Sequence, residues 1–371
     1  MKVPKNPFLL AGFISREYFC DRQKELSWLR DNLNNERNVV LYSWRRLGKT
    51  SLIRCLFHML EERKDTETLH VDLMSTRTIN EAIHKIARSV HEKYGKTSSA
   101  DSMEKLLARL GLSVSFDPVS GIPRLELGLR ENLPAEASLA ALGEFLSSRK
   151  KNVIIALDEF QQINQFTDVN AESLFREWMQ SFPALRMIFS GSHRNMMLSM
   201  FSQQNRPFYN STQLLELKPI ELETYREFIS HHFKRNKMII EPEQINEIYQ
   251  WSRAQTYTIQ LICNKLYGLN KKITLHDLQK SYAEILEQQK PFFFNYSKLL
   301  TNTQWEVLRA IAISEPVESP HSMEFIRKHQ LGAASTVASA LSSLIDKEMV
   351  IEYEGRYLLH DVVLARWLQQ I

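Results

Sequence analysis

The chain has 371 residues, which is long enough for two or three domains. With 43% apolar and 24% charged residues, its composition is that of an ordinary globular protein. Its 47 basic and 43 acidic residues leave a net charge of +4, which permits a polyanionic partner without requiring one. The three scattered cysteines exclude a disulfide framework, and no apolar run approaches the roughly 18–20 residues of a membrane span. We therefore expect a cytoplasmic protein with no membrane partner.

Strand-like and helix-like segments alternate over the first 218 residues. Apolar runs predict buried strands, and helical spacing predicts the helices between them. The predicted strands lie at 38–43, 68–73, 152–163 and 185–192, and the predicted helices at 50–63, 78–94, 101–110, 135–149 and 171–182. At 111–129, turn residues separate two strand-like runs, which predicts an inserted β-hairpin. The alternation predicts an α/β core over 1–218, with a parallel sheet sandwiched by helices.

The remainder of the chain divides into two further predicted domains. Residues 219–297 carry only helical patterns, which predict a helical lid. In 298–371, three helices precede two short strands around a glycine and a last helix, the element order of a winged helix-turn-helix. The candidate recognition helix lies at 335–347. Between His329 and Asp346 the chain has no Lys or Arg, so this helix offers little attraction for nucleic-acid phosphates.

The segment SWRRLGKTS, residues 43–51, lies between a predicted strand and a predicted helix and ends like a phosphate-binding loop. In the pattern G-x-x-x-x-G-K-[ST], backbone N–H groups cradle the phosphates, the lysine neutralises them and the last hydroxyl ligates magnesium. After Gly48, Lys49 and Thr50 would take these roles. Ser43 replaces the first glycine, which permits a turn but provides no catalytic group, and serine could fill the position if its φ is negative. The alternative is that Gly48, Lys49 and Thr50 are a chance helix start.

Two further motifs follow predicted strands. Asp158 and Glu159 end the third predicted strand, at the sheet edge where ligands of open α/β sheets bind. Asp158 could hold magnesium through water, and Glu159 could deprotonate an attacking water. Ser190 and Ser192 follow the fourth strand and could touch a γ-phosphate. Alternatively, the two acids begin a helix and the serines form a plain turn.

Four segments together resemble the archaeal-type ATPases of the STAND/AAA+ group of P-loop proteins. They are FISREYFCDRQKELSWLRDNL (13–33), VVLYSWRRLGKTSLI (39–53), IIALDEFQQI and IFSGS. The resemblance covers about residues 8–215, with weaker similarity in the lid and the winged helix. It implies an AAA+-like P-loop core that binds ATP and Mg²⁺.

The resemblance also implies roles for individual residues. Phe19 and Arg22, with Glu25, would form the lead segment that lines the adenine pocket. The double arginine, Arg45 and Arg46, would contact phosphate or tie the loop to the strand that ends in the two acids. The catalytic residues would be Glu159, Lys49 and Arg46. The nucleotide-contacting residues would be Ser43, Trp44, Arg45, Arg46, Leu47, Gly48, Lys49, Thr50, Ser51, Phe19, Arg22, Ser190 and Ser192. The magnesium ligands would be Thr50 and Asp158.

The chain departs from the family pattern in one way that affects turnover. Relatives often carry Tyr-Gly-Arg after the fourth strand, whereas Tyr209 is followed here by Asn210 and Ser211. In the lid, Arg253 is a candidate second sensor. A missing arginine predicts slow or stimulated hydrolysis rather than lost binding, because an arginine finger acts mainly on turnover.

We therefore expect a nucleotide-dependent switch that hydrolyses ATP to ADP. The nucleotide would sit between core and lid and would bias the positions of the lid and the winged helix. One alternative is a DNA-associated ATPase of the origin-recognition type, and another is a catalytically weak adaptor that keeps ATP as a structural ligand. The 111–129 hairpin could bind a protein partner, mediate self-association or do neither.

Overall fold

The computed structural model of the chain describes residues 4–95, 100–116, 123–127 and 134–370. They form two compact units. The core unit consists of Arg22–Trp44 and Lys49–Lys218. The C-terminal unit combines Pro219–Ile371 with Met1–Asp21 and the loop segment Arg45–Gly48. Within the described ranges, no helix is both long enough and apolar enough to cross a membrane.

The core unit contains a parallel sheet of five strands with helices around it. Its strands are β1 (Val39–Tyr42), β2 (Thr66–Asp72), β3 (Leu112–Phe116), β4 (Pro123–Leu127), β5 (Asn152–Asp158), β6 (Arg186–Gly191) and β7 (Gln213–Glu216). Its helices are α1 (Gln23–Asn34), α2 (Lys49–Glu61), α3 (Ile79–Tyr94), α4 (Ala100–Arg109), α5 (Ala135–Ser147), α6 (Ala171–Ser181) and α7 (Arg194–Ser202). The sheet order is β2-β5-β6-β1-β7, and β3 pairs with β4 in a separate antiparallel hairpin. The predicted α/β fold with a parallel sheet is confirmed.

The central strands are buried because each is an apolar run. All of β1 is buried, and β5 is buried from its second residue to its end. Their side chains join those of the surrounding helices in one apolar core, whose removal from water is the main stabilising contribution. In register, Tyr42 of β1 lies opposite Gly191 of β6, and Asp72 of β2 lies opposite Asp158 of β5. The carboxyl ends of these strands therefore form one edge of the sheet.

Two strands differ from the sequence-based prediction. Of the predicted run 152–163, β5 takes only the part up to Asp158 of the acidic pair. Glu159 has a left-handed φ of 54°, and residues 160–163 lie in the 3₁₀ turn Phe160–Gln165 instead of a strand. Strand β7 was not predicted, since its side chains are exposed or half-buried and form no continuous apolar run. The turn of the predicted hairpin, at 117–122, lies outside the described residues.

The C-terminal unit is mainly helical. Its helices are α8 (Leu222–Arg235), α9 (Pro242–Trp251), α10 (Thr256–Tyr267), α11 (Leu275–Leu299), α12 (Asn302–Ser314), α13 (Met323–Lys328), α14 (Ala334–Asp346) and α15 (Val362–Leu368), and its strands are β8 (Val350–Tyr353) and β9 (Arg356–Leu359). The order from α12 onward is that of the predicted winged helix. One apolar core contains buried residues from Phe8 to Leu368 of the chain. Helix α11 crosses the predicted boundary between 297 and 298. The predicted lid and winged helix therefore share a core.

Polar contacts also join the lid segment to the winged helix within this unit. Arg253 forms an ion pair with Glu315 and donates to the Leu359 carbonyl oxygen at 2.8 Å. Arg366 donates to the Trp251 carbonyl oxygen at 3.0 Å. Burial and, to a smaller extent, the nearby charge of Arg366 together lower the pKa of Arg253 to about 9. The guanidinium suggested as a second sensor is thus engaged in packing contacts.

Candidate functional site

Lys49 begins α2 directly after the loop, and its ammonium is buried. Its Nζ donates to Ser43 Oγ at 2.9 Å and lies 3.3 Å from the Trp44 carbonyl oxygen. The Ser43 hydroxyl donates in turn to the Trp44 carbonyl oxygen at 2.7 Å. Ser43 is not among the described residues with a positive φ, so its backbone does not require glycine. The serine therefore adds an acceptor for the loop lysine.

Asp158 ends β5 with only 3% of its surface exposed. Thr50 Oγ1 donates to Asp158 Oδ2 at 2.7 Å, and His70 Nε2 of β2 lies 3.3 Å from the same oxygen. Burial opposes ionisation of this carboxyl group, but the hydrogen bonds from His70 and Thr50 outweigh it and lower the pKa of Asp158 to about 2. The fully buried Ser190 hydroxyl acts in the same direction. Asp158 is therefore an anion at neutral pH.

Glu159 follows Asp158 with its backbone in the left-handed region, at φ 54° and ψ 40°. Its Oε2 accepts hydrogen bonds from the Ser192 hydroxyl and from the Gln161 amide, each at 2.6 Å. The Ser192 backbone N–H points to the same oxygen at 3.4 Å. The structure thus joins the residue predicted as the catalytic base directly to a serine predicted to touch phosphate.

Two side chains beside these residues were not predicted from the sequence. Arg194 of α7 forms a two-point ion pair with Glu216 of β7, at 2.6 and 3.2 Å. Its guanidinium lies over the rings of Tyr42 and Trp44. His70, which contacts Asp158, is the other. In the sequence, His70 stands out as a histidine within an apolar strand, and Arg194 as an arginine two residues after the predicted serine turn.

Arg45 and the rest of the loop segment Arg45–Gly48 pack within the C-terminal unit. Arg45 pairs with Glu348 at 2.8 Å, and its backbone N–H donates to His360 Nε2 at 3.2 Å. Because Nε2 accepts, Nδ1 carries the ring proton and donates to the Glu348 carbonyl oxygen at 3.0 Å. Burial lowers the pKa of His360 to about 4, so the ring is neutral at pH 7.

Arg46 is held in the same unit by side-chain and backbone contacts. Its guanidinium pairs with Asp361 at 3.0 Å and lies 5.4 Å from the centre of the Tyr257 ring. Its carbonyl oxygen accepts from the Tyr257 N–H at 3.1 Å, and the next carbonyl, of Leu47, accepts from the Thr256 hydroxyl at 3.3 Å. A cleft of about 290 Å³ adjoins the two loop arginines. The loop segment is therefore bound to the lid and winged-helix residues of this unit.

The remaining predicted nucleotide-contacting residues pack or hydrogen-bond elsewhere in the structure. Phe19 packs edge to face on Phe13, with the ring centres 6.0 Å apart. Arg22 is 4% exposed and donates to Glu25 and to the Lys218 carbonyl oxygen, each at 2.7 Å. Ser51 is half-buried on α2, and Gly48 has a φ of 93°. The adenine contacts of Phe19 and Arg22 stay predictions.

The residues predicted to hold magnesium suit that ion chemically. The Thr50 hydroxyl and the Asp158 carboxylate are hard oxygen donors that already lie 2.7 Å apart. Magnesium usually takes one or two such protein ligands and completes its shell with waters and substrate phosphates. The ionised state of Asp158 matches this preference.

Family comparisons match two stretches of the chain. Residues 19–262 match a model described as "ATPase domain predominantly from Archaea", and residues 291–370 match one described as "Probable winged helix domain". The first covers more than half of the chain. No curated protein matches.

Solved structures with this fold match nearly the whole chain at low sequence identity. A Walker-type ATPase of Pyrococcus abyssi is 19% identical, with a TM-score of 0.71 over 98% of this chain and 99% of that one. The Aeropyrum pernix ORC1 protein in complex with DNA is 13% identical, with a TM-score of 0.54 over 99% of this chain and 96% of that one. The Aeropyrum pernix ORC2 protein, in ADPNP–ADP complexes, is 12% identical, with a TM-score of 0.57 over 94% of each chain. Because these identities are low, the likeness establishes that the folds are similar and nothing further.

Proposed function

The chain belongs to the family of ATPase domains found predominantly in Archaea, and on that premise we propose that it binds ATP at the loop 43–51 and hydrolyses it slowly. The observation that carries the proposal is the meeting of Thr50 and Asp158 at the carboxyl edge of the core sheet, 2.7 Å apart. Beside them, Lys49 begins the same helix as Thr50, and Glu159 follows Asp158. This set supplies a cation, a hydroxyl, an anion and a base.

Each of these side chains has a task in the proposed reaction. Lys49 would exchange its contact with Ser43 for phosphate oxygens, which are stronger acceptors because they are charged. Thr50 and Asp158 would hold Mg²⁺, which when bound offsets the charge of the phosphates. Glu159 would accept a proton from the attacking water, which must lie within about 3 Å of its carboxylate.

The proposal extends to the C-terminal unit through the two arginines of the loop. Arg45 and Arg46 belong to the phosphate loop in sequence, and each is paired with a carboxylate, of Glu348 and Asp361 respectively. Phosphate and carboxylate use the same guanidinium donors, so a bound nucleotide would compete with these partners. We infer that nucleotide binding is coupled to the winged helix by this exchange, which would make the protein a nucleotide-dependent switch.

Single-turnover hydrolysis of ATP tests the catalytic part of the proposal. Glu159→Gln should lower the rate by about a hundredfold or more, because general-base catalysis typically contributes that much. The affinity for Mg-ATP should stay unchanged, since Glu159 is assigned to the water. Equal rates for the wild type and the variant would instead favour the catalytically weak adaptor.

A DNA-associated ATPase of the origin-recognition type is the alternative function. The α14 helix of the winged helix, Ala334–Asp346, contains no Lys or Arg, although affinity for DNA phosphates depends on such residues. At 13% identity, the structural likeness to an origin-recognition protein shows a shared fold and not a shared function. A mobility shift measured at two salt concentrations separates the functions, because DNA binding through phosphate contacts weakens steeply with salt.

A further inference from the structure

Gln161 is a buried glutamine beside the proposed catalytic base, Glu159. It lies in the 3₁₀ turn after Glu159 and exposes only 7% of its surface. Its Nε2 donates to Glu159 Oε2 at 2.6 Å. Its Oε1 is buried and has no hydrogen-bond partner among the described residues. A buried amide oxygen without a partner lowers stability, so packing does not explain why a glutamine stands here.

Gly191, the last residue of β6, provides the space that the Gln161 amide occupies. A Cβ atom on Gly191 would lie 2.4 Å from Gln161 Oε1 and 2.5 Å from the Met197 side chain. A larger residue would therefore displace the amide that reaches Glu159. The next residue, Ser192, places its hydroxyl on the same carboxylate oxygen. One strand end thus supplies both the space for Gln161 and the second donor.

The two donors restrain the Glu159 carboxylate from one side. Ser192 and Gln161 both bind Oε2, and no hydrogen bond from the described residues reaches Oε1. Rotation of the carboxylate is therefore fixed while its second oxygen is left to accept a proton. A base held in this way needs no reorientation when water arrives, which is what preorganisation requires.

We propose that Gln161 is a positioning residue for Glu159, and that with Ser192 it directs the free carboxylate oxygen toward the attacking water. The inference rests on the proposed ATPase function. In the step concerned, the water proton moves to Glu159 as the water oxygen bonds to the γ-phosphorus and the bond to ADP breaks. Gln161 touches neither the water nor the nucleotide in this account and acts only through Glu159.

The substitution Gln161→Met tests the proposal because methionine has similar length, no donor and no buried amide oxygen to leave unpaired. The single-turnover rate should fall by about tenfold to a hundredfold, as expected for loss of a hydrogen bond to a charged group. The affinity for Mg-ATP should not change, and the melting temperature should stay equal or rise. Gln162→Met is the matched control. Gln162 contacts Thr76 and Gln165 rather than Glu159, so its rate should equal that of the wild type.

A second background separates positioning from a general structural effect. In Glu159→Gln, where the base is absent, adding Gln161→Met should cause no further loss of rate. Gly191→Ala keeps Gln161 but displaces its amide, and it should reproduce the loss seen in Gln161→Met.

Three results would overturn the proposal: an unchanged or faster rate in Gln161→Met, a full additional loss in the Glu159→Gln background, or weakened ATP binding. Failure of the proposed function would be recognised separately. The wild type would then bind no ATP, or would hydrolyse it no faster than Glu159→Gln, before any Gln161 variant is compared, and the inference would fall with it.

Discussion

The Thr50 hydroxyl donates a hydrogen bond of 2.7 Å to the Asp158 carboxylate, although 108 residues separate the two in the chain. The bond joins the start of α2 to the end of β5. It fixes Asp158 Oδ2, which His70 also contacts, and it favours the ionised carboxylate. Two sequence motifs that are separate in the chain thus form one group of oxygen donors, and the proposed magnesium chemistry depends on this pair.

Thr50→Val should abolish most of the effect of magnesium on ATP binding. Valine has the shape of threonine but no hydroxyl, so one metal ligand and one hydrogen bond to Asp158 are lost together. We expect Mg-ATP affinity to fall roughly tenfold or more, toward the affinity measured in the presence of EDTA, because removing a group that supports a bound metal typically weakens its binding by that much. Thr50→Ser keeps the hydroxyl and should retain most of the effect. If magnesium raised the affinity of Thr50→Val as it does that of the wild type, the assignment would be wrong.

Ser43→Ala should lower the stability of the nucleotide-free protein without lowering its affinity for ATP. Without nucleotide, the variant loses the 2.9 Å acceptor of the Lys49 ammonium and should be destabilised by about 1–2 kcal/mol. ATP affinity should stay the same or rise several-fold, since binding no longer has to replace that contact. Thermal unfolding and calorimetry measure the two effects. A large loss of ATP affinity would contradict the proposed exchange of the Ser43 contact for phosphate, and would instead match the sequence-based expectation that Ser43 contacts the nucleotide.

Asp361→Asn should raise the affinity for ATP about twofold to fivefold. The substitution removes the charged partner of Arg46, and ion pairs of this exposure contribute up to about 1 kcal/mol. The gain should vanish when Arg46 is also replaced by alanine, because no guanidinium then remains to be released. Fluorescent-nucleotide titration of the four proteins in this cycle measures the coupling. An equal gain with and without Arg46 would disprove the exchange between nucleotide and winged helix.

His360 should make the protein less stable as the pH falls through the acid range. Its pKa is about 4 in the folded chain, below the ordinary value near 6.5, because burial disfavours the charged ring; Arg45 and Arg46 act in the same direction, and Glu348 and Asp361 against it. The unfolded chain therefore binds the proton first. The stability from the neutral ring is complete above pH 6.5 and falls by about 3 kcal/mol by pH 4.

His360→Gln is the control for this prediction, since an amide can make both hydrogen bonds of the ring without titrating. The free energy of unfolding, followed by denaturant titration at several pH values, should fall less steeply between pH 6.5 and 4 in the variant. Parallel curves for the two proteins would refute the prediction.

The parts of the site predicted from sequence are those in which neighbouring residues share a task. Lys49 and Thr50 are adjacent, as are Asp158 and Glu159. The first pair follows the loop after one apolar run, and the second pair ends another, and each run predicts a buried strand. The parallel α/β fold was predicted from the alternation of strand-like and helix-like segments along the chain. Strand β7 escaped prediction because an edge strand lacks that apolar pattern.

The contacts that were missed join residues far apart in sequence. Arg46 and Asp361 are 315 positions apart, and His70 lies 88 positions from Asp158. No local period or spacing encodes such pairs, because they arise only when separate elements pack. The contact between Gln161 and Glu159 is local, but Gln162 follows directly, and the sequence does not show which of the two glutamines contacts Glu159.

Calorimetric titration of the wild type and of Lys49→Ala with Mg-ATP tests the central claim most directly. The account predicts saturable binding of one ATP by the wild type and at least tenfold weaker binding by the variant, because the variant loses the ammonium that neutralises phosphate. Equal affinities in the two proteins, or no binding by the wild type at millimolar ATP, would contradict it.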